Sequence, residues 1–263
     1  MRIATWNVNG LRAALRKGFE EHLSRMQVEV LLLQEVRALP EQLPMQWQSP
    51  KGWHVTWHPA EKKGYAGTAV WTRGEHEVIG RGIAGDGVDP EGRVLTVKVA
   101  SGTGKPVVCS SIYLPSGSSG DHRQAEKEKW MAAFEPWAAA LKRKRGAVVL
   151  GGDFNIAHTE HDIFYAKSNE KNSGFLPHER AWMGELIQGG WCDYVREKVG
   201  AGVDGPYTWW SNRGKARELD RGWRIDYLLG NTAAKKAGGK VWVDREAGLA
   251  CSDHAPVILE LNV

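Results

Sequence analysis

The stretch Gly151-Gly152-Asp153-Phe154-Asn155, directly after the apolar run Ala147-Val148-Val149-Leu150, constrains this chain more than any other. A short apolar run closed by two glycines predicts a buried strand whose chain then turns sharply. Side chains at i and i+2 of an extended segment leave on the same side, so Asp153 and Asn155 emerge from the strand end together. The acid can take or give a proton, and the carboxamide can orient a water or a phosphate oxygen. Gly, Asp and Asn are also ordinary turn residues, and the motif alone reads equally as a turn.

The same arrangement recurs along the chain. Ile3 to Val8 predicts a first strand, closed by Asn7-Val8-Asn9-Gly10 with its own i, i+2 polar pair. Leu11, Leu15, Phe19, Leu23 and Met26 then follow at helical spacing. Val28 to Gln34 reads as a buried strand ending in Glu35. A carboxylate there needs a partner, because an unpaired buried one is costly; a salt bridge, a cap or a metal ion would each serve. Trp53 to Val78 alternates as hairpins do, and Gly85 to Gly92 reads as a turn region. Its Asp86, Asp89 and Glu91 lack the spacing of a calcium loop.

Val94 to Val99 and Val107 to Tyr113 predict further strands, the second placing Tyr113 at its end. Asp121 to Leu141 predicts a long amphipathic helix, followed by Lys142-Arg143-Lys144-Arg145. That run suits a nucleic-acid patch, but cations are favourable at any helix C-terminus. Beyond Asn155 the chain is polar and irregular from Ala157 to Lys171, and a helix is expected from near Pro177 to Gly189-Gly190. Tyr207 to Trp210 looks strand-like, a basic loop follows, and Arg224 to Leu229 predicts a strand with Asp226 inside it. The chain closes with Ser252-Asp253-His254-Ala255-Pro256 and an alternating strand from Val257 to Val263. With no low-complexity linker and no repeat at solenoid periods, residues 1–263 are expected to form one domain.

These acids and amides sit at the ends of apolar strands, so packed sheets would bring them to one cleft. Like-charged carboxylates gathered there raise one another's pKa unless a cation joins them. Oxygen ligands without a Cys pair or His cluster suit Mg²⁺ or Mn²⁺ rather than zinc, and such an ion serves phosphoryl chemistry. An Asp226–His254 pair would fix the imidazole and favour its charged form beside a phosphate. The net charge of +4 and pI near 8.9 are compatible with a polyanionic partner without requiring one. Thirteen tryptophans could serve the core or could supply flat faces for bases or sugars. Cys109, Cys192 and Cys251, widely spaced and odd in number, suggest free buried thiols in a reducing compartment. Neither a signal-peptide block nor an apolar stretch of spanning length is seen, so a cytoplasmic protein without membrane contact is expected.

Thr5-Trp6-Asn7-Val8-Asn9-Gly10-Leu11, Leu33-Gln34-Glu35, Gly151-Gly152-Asp153-Phe154-Asn155, Gly222-Trp223-Arg224-Ile225-Asp226-Tyr227 and Ser252-Asp253-His254-Ala255-Pro256 occur in this order from end to end. In this the chain resembles the exonuclease III family of abasic-site endonucleases and 3′ exonucleases. The resemblance implies a DNase I-like four-layer α/β sandwich, with two packed mixed or antiparallel sheets flanked by helices. It implies a Mg²⁺ site (Mn²⁺ substituting) at Glu35 and Asp253, with Asn7, Asn9, Asp153 and Asn155 close by. Asp153 would handle the proton of the attacking water or leaving group, and Asn155 would orient the water. Tyr113 would lie against the scissile phosphate, and His254, held by Asp226, would stabilise its developing charge. Trp209, Trp223 and Ile225, with Arg224 beside them, match a pocket for a flipped abasic sugar. Asn169 and Asn172 match phosphate-backbone contacts, and Tyr65 a DNA-facing loop. The implied partner is double-stranded DNA with abasic sites or 3′ ends, bound by a monomer.

This sequence departs from the family pattern at Ser116, where many relatives carry Asn or Gln, and at Asn9, which replaces an aspartate of the human-type branch. Residues 158–169 align with no family segment. Three readings compete with the repair endonuclease: a specialised 3′–5′ exonuclease or 3′ end-cleaning phosphodiesterase, a same-fold phosphodiesterase of phospholipids or inositol phosphates, and a non-catalytic DNA-binding module. The Trp209/Trp223/Ile225 set favours DNA, and an intact acid, amide and histidine set favours catalysis.

Overall fold

The computed structural model describes residues 1–84 and 88–263; Gly85–Gly87, including Asp86 of the expected turn region, lie outside the described residues. In chain order the strands are β1 (Arg2–Asn7), β2 (Val30–Gln34), β3 (His54–His58), β4 (Thr68–Thr72), β5 (His76–Arg81) and β6 (Val94–Val99). They continue with β7 (Val107–Tyr113), β8 (Val148–Asp153), β9 (Cys192–Asp193), β10 (Asp226–Gly230), β11 (Gly238–Val243) and β12 (Val257–Leu261). They form two six-stranded sheets, β11-β12-β1-β2-β4-β3 and β5-β6-β7-β8-β10-β9. Each sheet is mixed: β1 runs parallel to β2 and β7 parallel to β8, and the other pairs are antiparallel.

The layering follows from strand alternation. Ile3, Leu32, Val97, Cys109, Val149, Leu228 and Leu259 meet in the core between the sheets. The residues between them face outward, Ala4, Trp6, Leu31 and Leu33 on the first sheet and Val148, Leu150 and Leu229 on the second. Helices Leu11–Leu15, Phe19–Met26 and Arg245–Cys251 cover the first outer face; Asp121–Lys142 and Pro177–Gln188 cover the second. The expected helix from Leu11 to Met26 is two helices, because Gly18 takes a left-handed φ of 90° that an uninterrupted helix cannot contain.

Inward alternation also locates the cleft. Ile3 and Thr5 lead to Asn7, Cys109 and Ser111 to Tyr113, Val149 and Gly151 to Asp153, and Leu228 back to Asp226, all on the inner faces at one end of the sandwich. The sheets close together there because Gly151 has no side chain. A Cβ at that position would stand 2.6 Å from Leu32 Cδ1 and 2.9 Å from Leu228 Cδ2. Polar pairing begins just below the cleft: Thr5 donates to Gln34 Oε1 at 3.2 Å, and Gln34 Nε2 donates across the sheets to Ser111 Oγ at 2.9 Å.

Two expectations change. Tyr207–Trp210 is no strand but a segment of isolated bridges, Trp209 with Trp223 and Trp209 with His254. Asp226 begins β10 rather than lying within a strand. The run Lys142–Arg145 closes a helix and leads into the start of β8, at the end of the sheet opposite Asp153, so it lies away from the cleft. No described helix is long and apolar enough to cross a membrane.

Candidate active site

Strand register assembles the first residues of the site. Tyr113 on β7 and Asp226 on β10 are the Cα partners of Asp153 on β8, one on each side. Across the gap between the sheets, Asn7 ends β1 with its side chain fully buried. Its amide nitrogen donates to Asp153 Oδ2 at 2.8 Å and to Glu35 Oε1 at 2.9 Å, tying the two sheets together through two carboxylates. Its carbonyl oxygen accepts from the Asn9 backbone N–H at 3.0 Å, which fixes the orientation of the amide. Asn7, expected close to the metal, thus stands as a hydrogen-bond donor between the two carboxylates.

Turns immediately past the strands present the remaining groups. Asn9, Glu35 and Asn155 all adopt positive φ, 44°, 51° and 49°, a conformation that costs about 1–3 kcal/mol per residue and persists where the surroundings over-determine it. Asn155 N–H closes back on Asp153 Oδ1 at 2.9 Å, and its amide nitrogen donates to Leu114 O at 2.9 Å and toward Asp153 Oδ2 at 3.4 Å. Among the described residues Asn155 Oδ1 accepts no hydrogen bond, so it can accept one from a water. Asn9 Nδ2 donates to Asp253 Oδ1 at 2.8 Å, and Trp209 Nε1 donates to Asp253 Oδ2 at 3.2 Å.

His254 stands behind these carboxylates, with Nδ1 2.9 Å from Asp226 Oδ2 and Nε2 3.9 Å from Asp153 Oδ2. Asp226 is held in turn by its backbone N–H on Thr208 Oγ1 at 3.1 Å. Burial opposes charge on the imidazole, but Asp226 and Asp153 outweigh it and raise the pKa to about 10. Burial raises Asp153 to about 7, with Asp226 and Glu35 adding to the rise against the pull of His254. Asp253 stays below the usual carboxylate value: burial raises it, but His254 and the Asn9 hydrogen bond prevail. Tyr113 is pushed well above an ordinary phenol by burial and by the charges of Glu35 and Asp153, so it remains a proton donor.

These groups line a cleft of about 760 Å³, shared by Asn9, Glu35, Tyr113, Asp153, Asn155, Asn169, Asn172, Trp209, Trp223, Ile225, Asp253 and His254. Trp209 and Trp223 meet edge to face with centroids 6.0 Å apart, packed with Ile225 against Ile163 and Phe175. Asn172 Nδ2 donates to Asn169 Oδ1 at 2.8 Å on the opposite rim. Most other tryptophans serve the core, with Trp6, Trp47 and Trp71 gathered around Phe19 and Trp130, Trp137 and Trp182 around Phe134.

Arg224 is corrected from a substrate-binding residue to a buried structural cation. It is 0% exposed, with Nε 2.6 Å from Asp162 Oδ1 and NH2 2.8 Å from Asp193 Oδ2, and its guanidinium packs over the Tyr227 ring. Alternation explains the reversal: Ile225 faces the cleft, so its neighbour faces away. Tyr65 does not line the cleft; its hydroxyl accepts from Arg93 at 3.0 Å and from Arg123 at 2.6 Å. Asp226 likewise sits behind His254 rather than at the cleft surface. Arg37 and Arg213 also line the cleft; neither was singled out as a site residue in the sequence, where Arg37 is a solitary cation and Arg213 is one of the cations of the basic loop after Trp210. The positive φ of 50° at Arg37 turns its guanidinium onto Glu35 Oε2.

The donor set suits a hard cation. Glu35, Asp153 and His254 bring ligand-type atoms within 4.8 Å of one another. His254 is engaged through Nδ1 with Asp226, and the carboxylate oxygens of Glu35 and Asp153, with Asp253 in the same cleft, are the hard ligands of the set. The sequence pairing of Glu35 with Asp253 is thus joined by Asp153, which strand register brings to Glu35 through Asn7.

The pattern of the Endonuclease/Exonuclease/phosphatase family matches residues 4–254. The chain is 35% identical to an exodeoxyribonuclease of Bacillus subtilis over the full length of both. It is 32% identical to a DNA-(apurinic or apyrimidinic site) endonuclease of Dictyostelium discoideum, spanning the whole chain and 71% of that protein. Among solved structures, a 3′ phosphatase from Neisseria bound to a product DNA hairpin superposes with a TM-score of 0.87, at 30% identity over both entire chains.

Proposed function

Because the chain belongs to the Endonuclease/Exonuclease/phosphatase family, as a metal-dependent nuclease, we propose that it cleaves double-stranded DNA 5′ to abasic sites and at 3′ ends. The observation that carries this reading is Asp153. It is buried, joined through Asn7 to Glu35, and faced by a His254 that Asp226 holds, at the mouth of an aromatic-walled cleft.

Glu35 and Asp153, with Asp253 in the same cleft, are the residues that would hold Mg²⁺, or Mn²⁺ in its place. Such an ion, when bound, supplies Lewis-acid stabilisation of charge on the phosphoryl oxygens. Asp153 takes the proton of the attacking water, its carboxylate oriented by Asn7 Nδ2 on Oδ2 and by the Asn155 backbone N–H on Oδ1. Asn155 Oδ1 orients that water while the Asn155 backbone N–H holds the carboxylate. The imidazolium of His254, its tautomer set by Asp226, and the Tyr113 hydroxyl donate to phosphate oxygens as negative charge develops. Trp209, Trp223 and Ile225 form the wall against which a flipped sugar packs; a nucleotide lacking its base sacrifices little stacking on leaving the duplex. Asn169 and Asn172 receive the flanking phosphates. Residues 1–263 act as one domain and as a cytoplasmic monomer, whose mass light scattering would read directly.

Similarity to a 3′ phosphatase over its whole length favours end cleaning as the second reading. One experiment separates the two: a duplex with one internal abasic analogue and a duplex with a recessed 3′ end, each with Mg²⁺ or EDTA. Incision 5′ to the lesion that EDTA abolishes supports the endonuclease. Trimming of the recessed end alone supports the exonuclease. Cleavage of neither sinks both.

A further inference from the structure

The irregular segment between β8 and the helix Pro177–Gln188 carries Phe164 and Tyr165, the only exposed Phe, Tyr or Trp side chains among the described residues, at 45% and 49%. Single exposed apolar residues are common and need no explanation. Here two are consecutive and about half exposed, and they stand edge to face with centroids 4.7 Å apart. The Arg221 guanidinium lies 5.7 Å from both centroids and makes no hydrogen bond or ion pair among the described residues. Below the rings is a hollow of about 640 Å³ reaching Tyr207 and Lys167. Its acids are Asp204, engaged by His161 at 2.8 Å, and Glu160 on the rim.

This surface is continuous with the cleft and firmly held. Phe164 N–H donates to Gly222 O at 3.0 Å, and Ile163 bridges to Trp223 of the aromatic wall. Tyr165 O accepts from Nδ2 of the cleft residue Asn169 at 2.8 Å. Flat faces beside an unpaired guanidinium, next to a site for polyanions, have the chemistry of a nucleobase platform. Bases within a duplex have their faces covered by neighbours, so only an unpaired base can use it. We infer that Phe164, Tyr165 and Arg221 stack an unpaired nucleobase of a single-stranded extension adjoining the duplex in the cleft. The inference rests on the reading that duplex DNA occupies that cleft.

The test is equilibrium binding in EDTA, where no strand is cut, to a blunt duplex and to the same duplex with short 3′ or 5′ single-stranded extensions carrying 2-aminopurine. For the wild type, one extension is expected to tighten binding about tenfold, within the range for one stacked base, and to quench the 2-aminopurine. The double variant Phe164→Ala/Tyr165→Ala should lose both effects while binding the blunt duplex as the wild type does and keeping its thermal midpoint. Tyr165→Phe should retain them, and Arg221→Ala should lose part of the advantage. Equal wild-type affinity for blunt and extended duplexes, or an advantage that survives in the double variant, would overturn the inference. Failure of the wild type to bind any duplex would strike the cleft reading itself, and the platform with it.

Discussion

Asp162→Asn tests whether the loop at residues 158–169 is built into the fold. Asp162 is 0% exposed and accepts from Arg224 Nε at 2.6 Å, from Arg196 Nε at 3.0 Å and from Arg196 NH2. It also accepts from Thr159 N and Oγ1, at 2.9 and 3.0 Å. With Asp193 on Arg224, two guanidinium groups and two carboxylates balance in a space closed to water. The substitution keeps the shape and removes one charge, leaving Arg224 with Asp193 and the Arg196 guanidinium with backbone carbonyls. Breaking a buried pair costs about 3–5 kcal/mol, and the surviving Asp193 places the expected loss near ~3 kcal/mol. At roughly 2–4 °C per kcal/mol for a chain of this size, the midpoint should fall by about 6–12 °C.

The pH dependence adds a second check. Burial would raise the Asp162 pKa, but Arg224 and Arg196 outweigh it and hold the group well below the usual carboxylate range. A depressed folded value means that the stabilisation is complete above the unfolded pKa of about 3.9 and is lost as pH falls through the folded one. Urea unfolding of wild type and variant should therefore differ by a constant amount from about pH 5 to 8 and converge below about pH 4. A difference under about 1 kcal/mol at pH 7, or one that widens on acidification, would refute the reasoning.

Asp153→Asn and His254→Asn should each lower turnover on abasic duplex by several orders of magnitude while binding measured in EDTA is preserved; wild-type-like turnover in either would sink its assigned role. Gly151→Ala should cost about 1–3 kcal/mol in urea unfolding, because its Cβ meets Leu32 across the sheet interface and Leu228 on the neighbouring strand β10; unchanged stability would show that the sheets can part freely. The three cysteines are free and buried, with burial raising Cys109 to about 12 and Cys192 and Cys251 to about 11. A disulfide reagent at pH 8 should find no fast thiol in the native protein and all three after denaturation.

Much of this protein follows from local pattern. Apolar runs closed by Gly-Gly-Asp, Asn-Val-Asn or Gln-Glu mark buried strands with polar ends, because alternation and turn chemistry act over a few residues. The acids and amides of the cleft could therefore be named before any fold was known. Local pattern does not say which strand ends meet. Only pairing register sets Tyr113 and Asp226 beside Asp153, and only sheet packing, permitted by the bare backbone at Gly151, brings Asn7 and Glu35 across to it. Arg224 shows the limit from the other side: its charge beside Trp223 suggested a ligand contact, yet one step of alternation turns it into the interior. Its partners are Asp162 and Asp193, distant in sequence and visible only in the folded chain. Phe164 and Tyr165 are ordinary loop residues in the sequence; solvent exposure and the neighbouring Arg221 are properties of the tertiary structure alone, because burial depends on what the rest of the chain leaves uncovered.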